Sequence, residues 1–210
     1  MEKRSFGLEM VEVRADGEDG PLISGYAAPF GHISADLGRF REVIAPGAFA
    51  ESLAGDIRAL WQHDTAQVLG RTKAGTLKIW EDERGLGFEL IPADTQAGRD
   101  ALVSLGRGDV DAMSFGFKVP KGGDRWENTE GGLLRTLYTV ELREISPVTF
   151  PAYPETVAAV RSELDSAPEW VQRALTQGVD QDRTADGARA RLRLRQRQRQ
   201  LELLRLRGTR

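Results

Sequence analysis

From Phe6 to Ile145 the chain is built of short strand-like runs ended by glycine, proline or polar turns. Phe6 to Val13 alternates apolar and polar residues with period 2, the signature of a half-buried strand. Leu22 to Ala27, Phe40 to Ile44, Ile57 to His63 and Met113 to Val119 read the same way. Thr76–Glu81 and Gly85–Ile91 form a predicted hairpin around Asp82-Glu83-Arg84-Gly85. Leu133 to Ile145 reads as one long strand after a polar loop from Gly122 to Gly132, and Pro147, Pro151 and Pro154 close the sheet region. Helices are few. Pro46 suits the first turn of a short helix over Gly47–Leu53. Thr95 or Asp94 caps a second, which runs to about Leu105 and ends at Gly106 and Gly108. Helices do not follow each strand, which argues against a doubly wound α/β sheet. The expected architecture is mostly β with short helices, a closed or strongly curved β-barrel.

Charge divides the chain. Residues 183–210 hold 10 arginines against Asp186 and Glu202, a balance of +8. The other 182 residues keep 19 of the 29 basic and 30 of the 32 acidic groups, a balance of -11, so the net of -3 averages two unlike parts. The expected organisation is a domain over 1–161, a linker over 162–182 and an arginine-rich, low-complexity tail over 183–210. Cysteine is absent, which excludes a disulfide framework and any thiol nucleophile. No apolar run approaches the ~20 residues of a membrane helix. The first 30 residues do not read as a signal peptide, and a cytoplasmic setting is expected.

There are two histidines. His32 sits among glycine and polar residues and reads as a loop residue without a role. His63 ends a predicted strand on the face of Ile57 and Trp61. It is either a satisfied edge residue or a general base. Ser114 lies between Ala112 and Gly116, small neighbours that would let a peptide backbone approach its hydroxyl. It is otherwise an ordinary strand serine. As a nucleophile it would need a base, and the base a third group to orient it. Strand parity puts Glu144 with Val140 and Leu142, and Glu141 with Arg143 and Ile145. If Val140 and Leu142 point inward, Glu144 does too and needs a partner such as an imidazole. Ile145 argues for the other face or a local irregularity. No zinc-binding spacing is present, and Asp109 and Asp111 read as a solvated turn, so no metal or other cofactor is expected.

At these residues the chain resembles the prohead maturation proteases of tailed bacteriophages, a family related to the herpesvirus assemblin proteases. The resemblance spans about residues 5–161. It is carried by Gly25-Tyr26-Ala27 with Phe30, Glu42 to Phe49, Leu60-Trp61-Gln62-His63-Asp64 and Leu69-Gly70-Arg71. Met113-Ser114-Phe115-Gly116-Phe117, Glu144 to Val148 and Pro151-Ala152-Tyr153-Pro154 complete it. It implies a herpesvirus-protease-like barrel and a serine endopeptidase, with Ser114 as nucleophile and His63 as base. A third histidine is missing, so the third member departs from the herpesvirus pattern. Glu144 is the choice and Glu141 the reserve. Oxyanion donors would come from backbone N–H groups at Phe115–Phe117, or from Arg71 or Arg143. The implied substrates are the phage scaffold, the N-terminal region of the major capsid protein and the enzyme itself. The implied setting is the assembling procapsid in the host cytoplasm, with a homodimer as the active form. A non-catalytic assembly component with the same fold is the alternative. The tail suits phosphates or an acidic partner, but the acidic body argues against nucleic acid as the main partner.

Overall fold

The computed structural model describes residues 1–7, 12–14, 20–37, 39–150 and 167–173. Two compact units divide the chain, Met1–Ser166 and Ala167–Arg210. Among its described residues the first carries three sheets. One runs in the order β1 (Glu2–Gly7), β9 (Ala112–Lys118), β12 (Glu141–Val148), β5 (Arg58–Trp61), β6 (Asp64–Arg71). The second is β10 (Asp124–Thr129), β11 (Gly132–Leu137), β4 (Phe40–Ile44). The third is β2 (Glu12–Arg14), β3 (Leu22–Pro29), β8 (Gly85–Leu90), β7 (Leu77–Glu81). Pairing is antiparallel except for β12 with β5 and β11 with β4. Of the second unit, residues 169–173 form a short helical turn. The remainder of the expected linker, the arginine-rich tail, and Pro151 and Pro154 lie outside the described residues.

The expected closed or strongly curved barrel is not what forms. The fold is mixed α/β dominated by strands, and all three sheets are open. A barrel requires its last strand to bond to its first; here β1 and β6, β10 and β4, and β2 and β7 are separate ends. Part of the reason lies in the run from Leu133 to Ile145, which is two strands and not one. The N–H groups of Tyr138 and Thr139 both donate to Gly123 O, at 2.8 and 3.0 Å, so β11 stops there and β12 joins another sheet. The polar stretch before it, expected as a loop, folds back as β10 on β11. Phe6–Val13 is likewise divided, with β1 and β2 in different sheets and residues 8–11 outside the described set. The helix expected at Gly47–Leu53 is only a 3-10 turn at Ala50–Ser52. The β7–β8 hairpin follows its pattern. So does α1 (Gln96–Arg107), where Thr95 Oγ1 accepts from the Gly98 N–H and Gly108 takes a left-handed φ of 77° at the end.

Apolar packing orients β9. Met113, Phe115 and Phe117 point into the core, where the rings run Phe30–Phe49–Phe115–Phe117 with centroid spacings of 6.1, 5.4 and 5.0 Å. Ser114 and Gly116 therefore take the opposite face.

A buried ion cluster joins β1 to the three-stranded sheet. Arg135 donates to Glu2 (2.6 Å), Glu42 (3.1 Å) and Asp124 (2.7 Å), while Arg4 holds Glu42 through two bonds of 2.7 and 3.0 Å. Arg4 also lies over the Phe117 ring and Arg135 over Trp126. Burial alone would lower the Arg135 pKa, but the Glu42, Glu2 and Asp124 carboxylates outweigh it and raise it. Removing the cation takes one guanidinium from three carboxylates at once, and Arg4 remains for only Glu42 and Glu2. Arg135→Leu is therefore expected to cost about 3–5 kcal/mol of stability, the range for breaking a buried pair. Urea unfolding checks this, and a loss too small to resolve would contradict it.

Candidate active site

β5 and β6 are joined by Gln62 and His63, with Trp61 facing Asp64 across the turn. Both turn residues have left-handed φ, 54° and 61°. This is the mirror-type hairpin turn whose twist suits the strands but whose backbone normally calls for glycine or asparagine. Residues other than glycine persist in such conformations, at a cost of ~1–3 kcal/mol each, only when their surroundings over-determine them. Here Gln62 supplies the restraint. Its N–H donates to Pro147 O (3.1 Å), its side-chain amide donates to Thr149 Oγ1 (2.9 Å), and its Oε1 accepts from the Thr149 N–H (3.1 Å). His63 thus sits in a turn clamped to the end of β12. It does not end a strand on the face of Ile57 and Trp61, as the alternation predicts.

Glu144 reaches the site through an irregularity. Leu142 pairs with Phe117 and Glu144 with Gly116, so Arg143 is an extra residue, a β-bulge. The bulge reverses parity. Leu142 shares the core face with Phe117, whereas Glu144 shares the other face with Gly116 and Ser114. Ile145 then returns to the core, where it is fully buried. Glu144 is buried and meets an imidazole, but on the face opposite Leu142 and not on the inward face that parity predicts. Its Oε1 lies 2.8 Å from His63 Nδ1, and its Oε2 accepts from Ser146 Oγ at 2.5 Å. Glu141, the reserve choice, is exposed and paired with Arg143.

The small size of Gly116 has a different use from the one its sequence context suggests. A Cβ there would lie 2.4 Å from Glu144 Oε1. The glycine makes room for the carboxylate.

Ser114 is fully buried and faces Ser146 across the β9–β12 ladder. Its hydroxyl makes no hydrogen bond among the described residues, to His63 or to any other group. An orphaned buried hydroxyl costs roughly 1–3 kcal/mol. With Nδ1–H donating to Glu144, His63 Nε2 is the nitrogen left to accept a proton. The arrangement brings His63 and Glu144 into contact and places Ser114 on the adjoining strand.

The remaining candidates are engaged elsewhere. His32 Nδ1 lies 3.1 Å from Phe30 O. Arg71 is bonded to Asp56, whose carboxyl it holds down to about 2, and Arg143 to Glu141. β9 is paired on both sides, so the backbone N–H groups of Phe115–Phe117 point into its ladders. Arg107 pairs with Asp109, and no group of three metal-ligating side chains converges among the described residues. Sequence reasoning assigned no role to Ser146, Gln62 or Thr149. The i, i+2 spacing of Glu144 and Ser146 was the one available signal.

The model of the caudovirus prohead serine protease family matches residues 9–169. The solved structure of the bacteriophage T4 capsid assembly protease, gp21, is similar at 11% identity and a TM-score of 0.41, over 70% of this chain and 99% of that one. No curated protein matches.

Gly116→Ala is expected to leave the fold intact, because Gly116 is not in the left-handed region, and to push the carboxylate off His63. Nitrogen NMR of the imidazole should then lose its bias toward protonated Nδ1. An unchanged bias would show that the cleft tolerates a methyl group.

Proposed function

The chain belongs to the caudovirus prohead serine protease family, and on that premise we propose that it is a serine endopeptidase acting through Ser114, His63 and Glu144. Membership carries a hydrolytic role in capsid maturation and a phage or prophage origin. The observation that carries the finer reading is the 2.8 Å contact between His63 Nδ1 and the buried Glu144 carboxylate, one strand from the unpartnered hydroxyl of Ser114.

In this reading substrate binding brings His63 Nε2 onto Ser114 Oγ, a contact that free enzymes often leave open. His63 takes the hydroxyl proton as the oxygen attacks the scissile carbonyl. Glu144 holds the imidazole in the required tautomer and stabilises the imidazolium. The imidazolium protonates the leaving amine, and water, activated by His63, releases the acyl group. The substrates are the scaffold, the N-terminal region of the major capsid protein and the chain itself. The kinship extends to the assemblins, with Glu144 where those enzymes carry a histidine. A homodimer inside the procapsid in the host cytoplasm is the active form, which couples activity to local concentration. Residues 1–161 do the chemistry, 162–182 link, and the +8 tail tethers the enzyme to acidic scaffold during assembly.

Ser114→Ala is expected to abolish processing of the chain and of co-expressed capsid protein. Its stability should be unchanged or higher, since an orphaned hydroxyl is removed. Intact mass and thermal melting read both; equal processing by mutant and wild type would sink the assignment of Ser114, and no processing by either would favour a non-catalytic assembly protein. In the same assay Glu144→Gln should fall steeply and Glu141→Gln should not. Deleting residues 183–210 should leave peptide cleavage intact and reduce the amount of enzyme recovered in procapsids. Equal recovery refutes the tether.

A further inference from the structure

Ser146 is the buried hydroxyl nearest the proposed chemistry to which that chemistry gives no task. It is completely buried. A serine in such a place commonly satisfies itself on a backbone carbonyl. This one instead donates to Glu144 Oε2 at 2.5 Å. Pro147 follows it, and a residue before proline is confined to extended backbone. The donor is therefore held on a stiff segment, on the same strand face as its acceptor.

The two carboxylate oxygens have separate partners: Oε1 meets His63 and Oε2 meets Ser146. The terminal torsion of a glutamate is soft and roughly two-fold, so backbone geometry alone does not set the plane of the carboxylate. Gly116 provides space below it but no hydrogen bond. Directly across the ladder from Ser146 stands Ser114, whose hydroxyl has no partner among the described residues. Facing side chains on paired strands lie about 4.5–5.5 Å apart at Cβ. Glu144, opposite Gly116, is one position along the same face from Ser114, so a carboxylate oxygen released by Ser146 would be an acceptor open to the Ser114 hydroxyl.

We propose that Ser146 is a positioning residue that fixes the Glu144 carboxylate toward His63 and, by occupying Oε2, keeps Glu144 from capturing the Ser114 hydroxyl. The proposal rests on Ser114, His63 and Glu144 acting as read above. Ser146 makes no hydrogen bond to Ser114 and acts through Glu144.

The test compares full-length wild type with Ser146→Ala, Ser114→Ala, Glu144→Gln and the Ser146→Ala/Glu144→Gln double variant. A fluorophosphonate probe reports serine reactivity by rate and by the mass of the labelled peptide. The downfield proton resonance of His63 Nδ1–H reports its bond to Glu144. Ser146→Ala should react roughly tenfold more slowly, the loss expected for one hydrogen bond to a charged group. It should still be labelled on Ser114 and should lose the downfield resonance. In the Glu144→Gln background its effect should be much smaller, because the charged carboxylate through which Ser146 acts is gone. Wild-type reactivity with an unchanged resonance in Ser146→Ala overturns the proposal. So does an additive loss in the double variant, which would mean that Ser146 acts by packing alone. Labelling that persists in Ser114→Ala, or a label on Ser146 in the wild type, refutes the nucleophile assignment instead.

Discussion

One extra residue in β12 sets the site. The bulge at Arg143 lets a single strand serve two surfaces of different polarity. Without it, Glu144 would face Phe115, Phe117 and Ala59 in the core and Ile145 would lie beside His63. A carboxylate without partners among those rings is untenable, since burying a lone charge costs far more than the strand could recover. With it, Ile145 packs beside Ala59, and Glu144 finds a ring nitrogen and a hydroxyl. The His63 turn depends on the same strand, because both anchors of Gln62, Pro147 O and Thr149, continue from β12. The strained turn and the buried acid are held by one segment of chain.

The rest of the unit holds that segment still. On one side of β9 the aromatic rings determine which residues face inward. Along its edge β1 is bound by Glu2 and Arg4 into the buried cluster around Arg135 and Glu42. Such a cluster contributes little net stability compared with apolar packing of the same volume, but losing one partner is costly. Its effect is to tie β1 in one place, with Ser5 opposite Ser114. The site departs from ordinary folding economy twice, in the left-handed backbone at Gln62 and His63 and in the unbonded hydroxyl of Ser114. Both departures fall in the same five-stranded sheet, in the β5–β6 turn and in β9.

Much of this was legible along the chain. Alternation in Met113 to Phe117 placed Ser114 and Gly116 opposite the phenylalanines, because period 2 is a property of any strand. The cap at Thr95 and the β7–β8 hairpin followed from local chemistry. The absence of cysteine removed a thiol nucleophile, and it was the family resemblance that singled out Ser114 and His63. Glu144 was preferred to Glu141 by a parity that the bulge reverses, and it is Glu144 that lies against His63. The closed barrel was not reached correctly, since a break at Tyr138–Thr139 is decided by a carbonyl on Gly123, far from the residues that look like one strand.

Residue types, local period and turn chemistry determined which side chains are available and which strand faces they occupy, for these depend on neighbours a few positions apart. Only the tertiary structure decided that three sheets stay open, that Glu144 turns toward His63, that Gly116 makes room for it and that Ser146 binds its second oxygen. Each of those outcomes is a contact between residues brought together by strand pairing, and register between strands is fixed by the packing of the whole sheet.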